Sequence, residues 1–194
     1  MTAFADLIDL QTAVVEMVKA PEIADVFPRL VRLAEADFNR RLRTSDQVVI
    51  GSITIAGGSA ALPADLQEII GVYDGAGYEL IGQPLQAIQI QQPRGYYAIA
   101  GNLIYAPADE VLRLHYYGTI PTIATGPTGS NWVLQRHPGL YLYAVGLEAA
   151  KYLGNGELAT AIDTVLAGEY AKVASDDRSR RYSRARVRIA GVVP

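Results

Sequence analysis

The segment Asn131–Leu153, NWVLQRHPGLYLYAVGLEAAKYL, constrains the fold of this chain more than any other. Asn131 is a residue type that caps helices, and Pro138 interrupts the helix it starts. From there the segment is apolar almost without break as far as Leu153, with Glu148 its only acidic group. A helix that is apolar on most faces has to be covered by other helices or by neighbouring subunits. Trp132, Leu140, Tyr141, Tyr143, Leu147 and Tyr152 are therefore expected in a helical core or a subunit interface.

Helical periodicity recurs at the N-terminus. Phe4, Leu7, Ile8, Leu10, Val14, Val15 and Val18 recur near every 3.6 residues, which predicts a helix over 3–19, begun by Thr2 or Ala3 and stopped by Pro21. Pro28 suits the first turn of a second helix, 27–42. Its apolar stripe is Leu30, Val31, Leu33, Ala34 and Phe38, with Arg29, Arg32, Glu35, Asp37, Arg40 and Arg41 expected mostly off that stripe.

From Gln47 the pattern changes to short β-type runs punctuated by glycine. Strands are expected at 48–50, 53–55, 66–73, 78–81, 96–99, 103–105 and 111–117, with a short helix at 85–90. In the last strand Leu112, Leu114 and Tyr116 share one face, and Arg113, His115 and Tyr117 the other. Tyr96-Tyr97 and Tyr116-Tyr117 should each turn one ring outward. After the loop 119–130, helices are expected over 131–153 and 156–179.

The element order implies an α+β fold. N- and C-terminal helices would form a helical bundle, with an inserted small antiparallel β-sheet or partial barrel and an extended C-terminal arm. The expected divisions are 1–46 for the N-terminal helices, 47–118 for the β region, 119–177 for the C-terminal helices and 178–194 for the arm.

Half of the 194 residues are apolar and 19% are charged, so the body has the means to fold. With no cysteine, disulfide scaffolds, thiolate zinc sites and cysteine nucleophiles are excluded. Asp6 and Asp9 stand where a secretory signal wants basic residues, and no run of about eighteen apolar residues offers a membrane span. The expectation is a soluble protein.

Catalytic motifs do not emerge. His115 and His137 lack carboxylates at a metal-ligand spacing. Gly126–Ser130 lacks the lysine of a nucleotide-binding loop and is better explained as the turn that delivers Asn131 to its capping position. No nucleophile elbow is present. No catalytic, cofactor-binding or metal-binding residue is assigned, and the chain is not expected to be an enzyme.

The net charge of −3 conceals an asymmetry. From Ala171 onward seven cations face two carboxylates, a balance of +5, which leaves −8 for the preceding 170 residues. That excess is more than a helix C-terminus needs to offset its dipole. Arg184-Ala185-Arg186-Val187-Arg188-Ile189 alternates with period two, the pattern of an extended segment that adds to another protein.

Several segments together resemble the head–tail adaptor (connector) proteins of tailed bacteriophages and related gene-transfer particles. They are FADLIDLQTAVVEMV (4–18), FPRLVRLAEADFNRRLR (27–43), ALPADLQEIIGVY (61–73) and PRGYYAIAGNLIYAPA (93–108). LRLHYYGTIPTI (112–123), NWVLQRHPGLYLYAVGLEAAKYL (131–153) and DDRSRRYSRARVR (176–188) complete the series. The resemblance implies a homo-oligomeric ring, a dodecamer, under the portal protein at the portal vertex of the virion, assembled in the host cytoplasm. Such a ring extends the DNA channel, passes DNA without specific binding, receives neck, stopper or tail proteins, and touches no membrane. An acidic body suits a lumen through which DNA slides.

The resemblance also implies that the C-terminal segment engages the portal. Arg178, Arg180, Arg181, Tyr182, Arg184, Arg186, Val187, Arg188 and Ile189 become the expected portal interface. The neighbouring alternatives are a head-completion stopper, a tail terminator of the same machine, or a module binding through its tyrosine-rich sheet.

Overall fold

The computed structural model describes residues 3–91, 94–126 and 128–182. The fold is α+β, and the chain forms two compact units: Met1–Ser45 with Ile120–Pro194, and Asp46–Thr119.

The first unit is helical. Helix α1 spans Leu7–Val18, and the Asp6 side chain caps it by accepting from the amides of Ile8 and Asp9. This cap explains why the helix starts four residues later than periodicity alone suggests. Lys19, at φ 54°, ends it in the left-handed region, and Pro21 opens a 3₁₀ turn over Pro21–Val26. Helix α2 spans Phe27–Arg41. Glu35, expected off the apolar stripe, is buried among Val31, Ala34 and Phe38. It stands four residues after Val31, so the helix turns both toward the core.

Helix α4 (Trp132–Arg136) and helix α5 (Pro138–Tyr152) are separated by His137, since proline is welcome only at the start of the second helix. Gly154, at φ 68°, turns the chain into helix α6, Gly156–Tyr182. Its 27 residues make a rod about 40 Å long. The expectation that an extended arm begins at Arg178 is corrected here: 178–182 are helical, continuing the turn in which Asp177 pairs with Arg181 four residues on. Residues 183–194 lie outside the described residues.

Helix α5 is the axis of this unit, packing against α1, α2, α4 and α6. Leu140, Tyr141 and Val145 are completely buried, each contributing about 1.5–3 kcal/mol of apolar burial. Small residues let its neighbours approach. A Cβ on Gly146 would lie 2.0 Å from the Met17 methyl on α1 and 3.7 Å from Ile162 on α6.

The second unit is built on two sheets rather than one. Strands β1 (Val48–Thr54), β7 (Val111–Gly118) and β3 (Leu66–Tyr73) form an antiparallel sheet in the order β1-β7-β3. The second sheet has the order β2-β6-β5-β4, from Ser59–Ala61, Leu103–Tyr105, Tyr96–Ala100 and Ile81–Gly82. The turn Asp74–Gly77 leads into a short antiparallel return, with Tyr73 bridged to Glu79 and the Leu80 amide donating to the Val72 carbonyl, before Ile81–Gly82 pairs in parallel with β5. A short helix, α3, spans Leu85–Gln91. Along β7, Leu112, Leu114 and Tyr116 are buried while Arg113 is exposed, as the alternation predicts. The core also holds Ile55, Val72, Leu80 and Ile104.

Gly129 is the tightest backbone approach in the first unit, since an added Cβ would sit 1.9 Å from the Ile123 carbonyl oxygen. Gly129→Ala should therefore lower unfolding free energy by about 1–3 kcal/mol, measured by urea denaturation. Gly168→Ala, in open space on α6, serves as the comparison that should not.

Candidate functional site

Two polar constellations stand out in the helical unit, one buried and one open. In the buried one the Glu35 carboxylate accepts from the Ile123 amide (2.7 Å), the Thr122 hydroxyl (2.5 Å) and the Tyr141 hydroxyl (3.0 Å). Asn131 donates to both the Tyr141 oxygen and the Pro121 carbonyl, each at 2.7 Å. Its own oxygen accepts from the Leu134 amide and so caps α4, as the sequence suggests. Asn39 adds a bond from the Ile120 amide at 2.8 Å. Burial first, and then the negative charge of Glu35, push the Tyr141 hydroxyl far above its ordinary pKa. Every member of this set has partners. Its chemistry is structural: it fixes the loop 120–131 to α2 and α5.

The open constellation is a cleft of about 500 Å³ between the C-terminal ends of α2 and α6. Leu42, Val173 and Ala174 supply apolar lining, and Tyr170 and Tyr182 add rings. Arg41, Arg43, Arg178 and Arg181 bring four guanidinium groups against the single carboxylate of Asp177. Arg41 lies over the Tyr170 ring at 5.1 Å and donates to Asp37, which also accepts from the Tyr170 hydroxyl at 2.7 Å. Burial, followed by the bond to Asp37, raises the Tyr170 pKa well above the phenol range. Arg43 donates to the carbonyls of Asn39 and Leu42, satisfying oxygens that the end of α2 leaves open.

Asp177 is part of the lining. It accepts from the amide and hydroxyl of Ser45 at 2.6 and 2.7 Å, and it pairs with Arg181 at 2.7 Å. Burial opposes its charge, but the Ser45 bonds and Arg181 together outweigh that and hold the carboxyl below its ordinary range. Arg181 also donates to the Arg43 carbonyl at 3.2 Å. The end of α6 is thereby tied to the segment following α2. The result is a positively charged, partly apolar groove.

A family profile described as SU10 adaptor protein matches residues 4–189, nearly the whole chain. The chain belongs to this family. It is a phage adaptor protein, in agreement with the resemblance carried by its segments. A search of curated proteins gave no match.

Of the adaptor's residues expected to meet a portal, Arg178, Arg181 and Tyr182 line the cleft, and Arg180 is exposed on the same helical end. Arg184, Arg186, Val187, Arg188 and Ile189 lie outside the described residues. Among the residues expected in the core or at a subunit interface, Leu140, Tyr141 and Leu147 are buried. Trp132 and Tyr143 are half-buried against that core, whereas Tyr152 is exposed.

The tyrosine pairs of the adaptor's β unit behave differently from one another. Tyr116 is buried and donates to Asp65 at 3.1 Å, with Tyr117 half-buried on the other face. Tyr96 and Tyr97 are both half-buried, as Tyr117 is. The exposed large apolar groups of this unit include Tyr78, 74% exposed, and the aliphatic Val48, Ile50, Ile70 and Val111 of the three-stranded sheet. The His115 ring packs on Tyr73 and the His137 ring on Trp132. Among the described residues no cluster of three or more His, Asp or Glu side chains gathers as a metal site, and no helix is long and apolar enough to cross a membrane.

Sequence reasoning missed Glu35 as the centre of the buried set and Ser45 as the clamp on Asp177. The spacing of Glu35 from Val31 was a usable signal. The pairing of Ser45 with Asp177 spans 132 positions and leaves no local trace.

Removing the Tyr141 hydroxyl deprives Glu35 and Asn131 of a partner together. Tyr141→Phe should cost about 1–3 kcal/mol in urea unfolding while leaving the helical circular dichroism unchanged. For Asp177 the lowered carboxyl pKa fixes the sign. The folded state ionises more readily, so its contribution is complete above the ordinary aspartate value of about 3.9 and fades as pH falls through the depressed one. Asp177→Asn should therefore show a flatter decline of stability than wild type between about pH 5 and about pH 2.

Proposed function

We propose that this adaptor forms a closed ring on the portal protein at the portal vertex of the virion. The ring continues the DNA channel and offers its far side to neck or tail proteins. The role is structural and non-catalytic. The observation that carries the proposal is the family match over residues 4–189, on a chain whose cationic excess is concentrated at one end. Identical subunits joined by one repeated head-to-tail contact generate a ring when the rotation closes. The negative balance of the first 170 residues fits a passage that repels DNA phosphates.

Within this proposal the portal contact belongs to the basic chain end, Arg184, Arg186, Val187, Arg188 and Ile189, with Arg180 at its root. Because α6 runs to Tyr182, the informative truncation is after that residue. The shortened chain should keep its thermal unfolding midpoint and lose at least about tenfold in affinity for portal, a loss of about 1.4 kcal/mol. Affinity is read by pull-down titration, and electron microscopy of the wild-type adaptor with portal should show an added annular layer. Undiminished portal binding by the truncated chain would remove the chain end from the contact.

A further inference from the structure

The cleft at the end of α6 and the outer face of α1 complement one another, and no residue of α1 lines the cleft. We infer that the cleft of one copy receives the outer face of α1, with the 3₁₀ turn after it, from the next copy. This rests on the ring proposed above and names the two surfaces that would build it.

The two faces have opposite character. Residues 3–26 carry Asp6, Asp9, Glu16, Glu22 and Asp25 against Lys19 alone. Helix α1 turns Leu7, Leu10 and Val14 inward, so Ile8, Thr12 and Glu16 form an exposed row at four-residue spacing, flanked by Asp9. Ile8, at the N-terminal end of this row beside Asp6 and Asp9 in sequence, is an aliphatic side chain left 51% exposed. Among the described residues Glu16, Glu22 and Asp25 have no ion-pair partner within their own chain. The cleft offers the converse: an apolar floor including Leu42, Val173 and Ala174, with Arg41 and Arg178 at its edge.

A helix laying an apolar side chain into such a floor, with carboxylates toward guanidinium groups, is a common way for proteins to recognise a helix. The two faces are disjoint, so the contact is heterologous and repeats from copy to copy, which is what a ring requires. Duplex DNA fits less well, because the apolar part of the floor at Leu42, Val173 and Ala174, unlike the guanidinium groups around it, offers a phosphate backbone nothing to bond. The basic chain end beyond Tyr182 stays available for the portal.

The test reverses charge on each face in full-length chains. One variant reverses the cleft (Ala174→Glu with Arg178→Glu), leaving the Arg41–Asp37–Tyr170 contacts in place. The other reverses the helix face (Glu16→Lys with Glu22→Lys). Assembly is read by mass and electron microscopy, with and without portal. Each variant alone should fail to form rings, and an equal mixture should recover them, because each supplies the face the other's reversed partner needs.

Wild-type assembly should also weaken at least about tenfold between about 50 mM and about 500 mM salt. That measurement stands even if a variant fails to fold. Rings from either variant alone, no recovery on mixing, or salt-insensitive assembly would overturn the inference while leaving the ring intact. A cleft-reversed chain that keeps its rings but loses portal or DNA would assign the cleft to that partner instead, again overturning it. If wild type forms no ring even on portal, the proposed function fails and this inference with it.

Discussion

The helical unit depends on a carboxylate placed where apolar packing alone would exclude it. Glu35 accepts three hydrogen bonds inside the unit, two from consecutive residues of one loop and one from the axial helix α5. An unpaired group there would be strongly unfavourable, so loop, helix and carboxylate hold only as a set. The Phe38 ring meets Tyr141 edge-on at 4.9 Å, which keeps the phenol aimed at its partners. The position of α4 follows, because the asparagine that steadies Tyr141 also caps that helix. Polar groups in this unit therefore specify which loop lies where, and the aliphatic residues supply most of the driving force.

Charge acts on a different scale. Individual surface pairs such as Arg40 with Asp37, or Lys151 with Glu148, add little to stability because water screens them. Their distribution matters more. Cations gather where α2 and α6 end, and carboxylates gather on α1 and the turn after it. A molecule arranged this way carries directional information for association even though its net charge is only −3. The groove at the basic pole is also rigidly framed, since Asp177, Ser45, Arg181 and the Arg43 carbonyl fasten its two walls together.

Much of the fold was legible because it is written in local period. The 3.6-residue spacing of α1 and α2, the alternation of β7, and the cap-then-proline signature of 131–138 correspond to observed elements. The family was legible too, since its signature is spread in order along the chain. What escaped depends on partners distant in sequence. That 81–82 pair in parallel with β5, after the short antiparallel return beyond Asp74, is decided by a strand about fifteen residues later. Glu35 looked like surface because a charged residue beside an apolar stripe usually is. The cleft could not be foreseen at all, since its walls come from 41–44 and 170–182.

The helical unit is also discontinuous in the chain, and that has a consequence for biogenesis. The donors for Glu35, the last of them on the axial helix α5, are translated 87 to 106 residues after it. During synthesis, 46–119 emerges complete before α5 exists, and domains tend to fold as they appear. The N-terminal helices must therefore wait, their apolar stripes uncovered, for a docking partner made near the end of translation. Such long-range closure is slow and leaves an interval in which chaperones or aggregation compete.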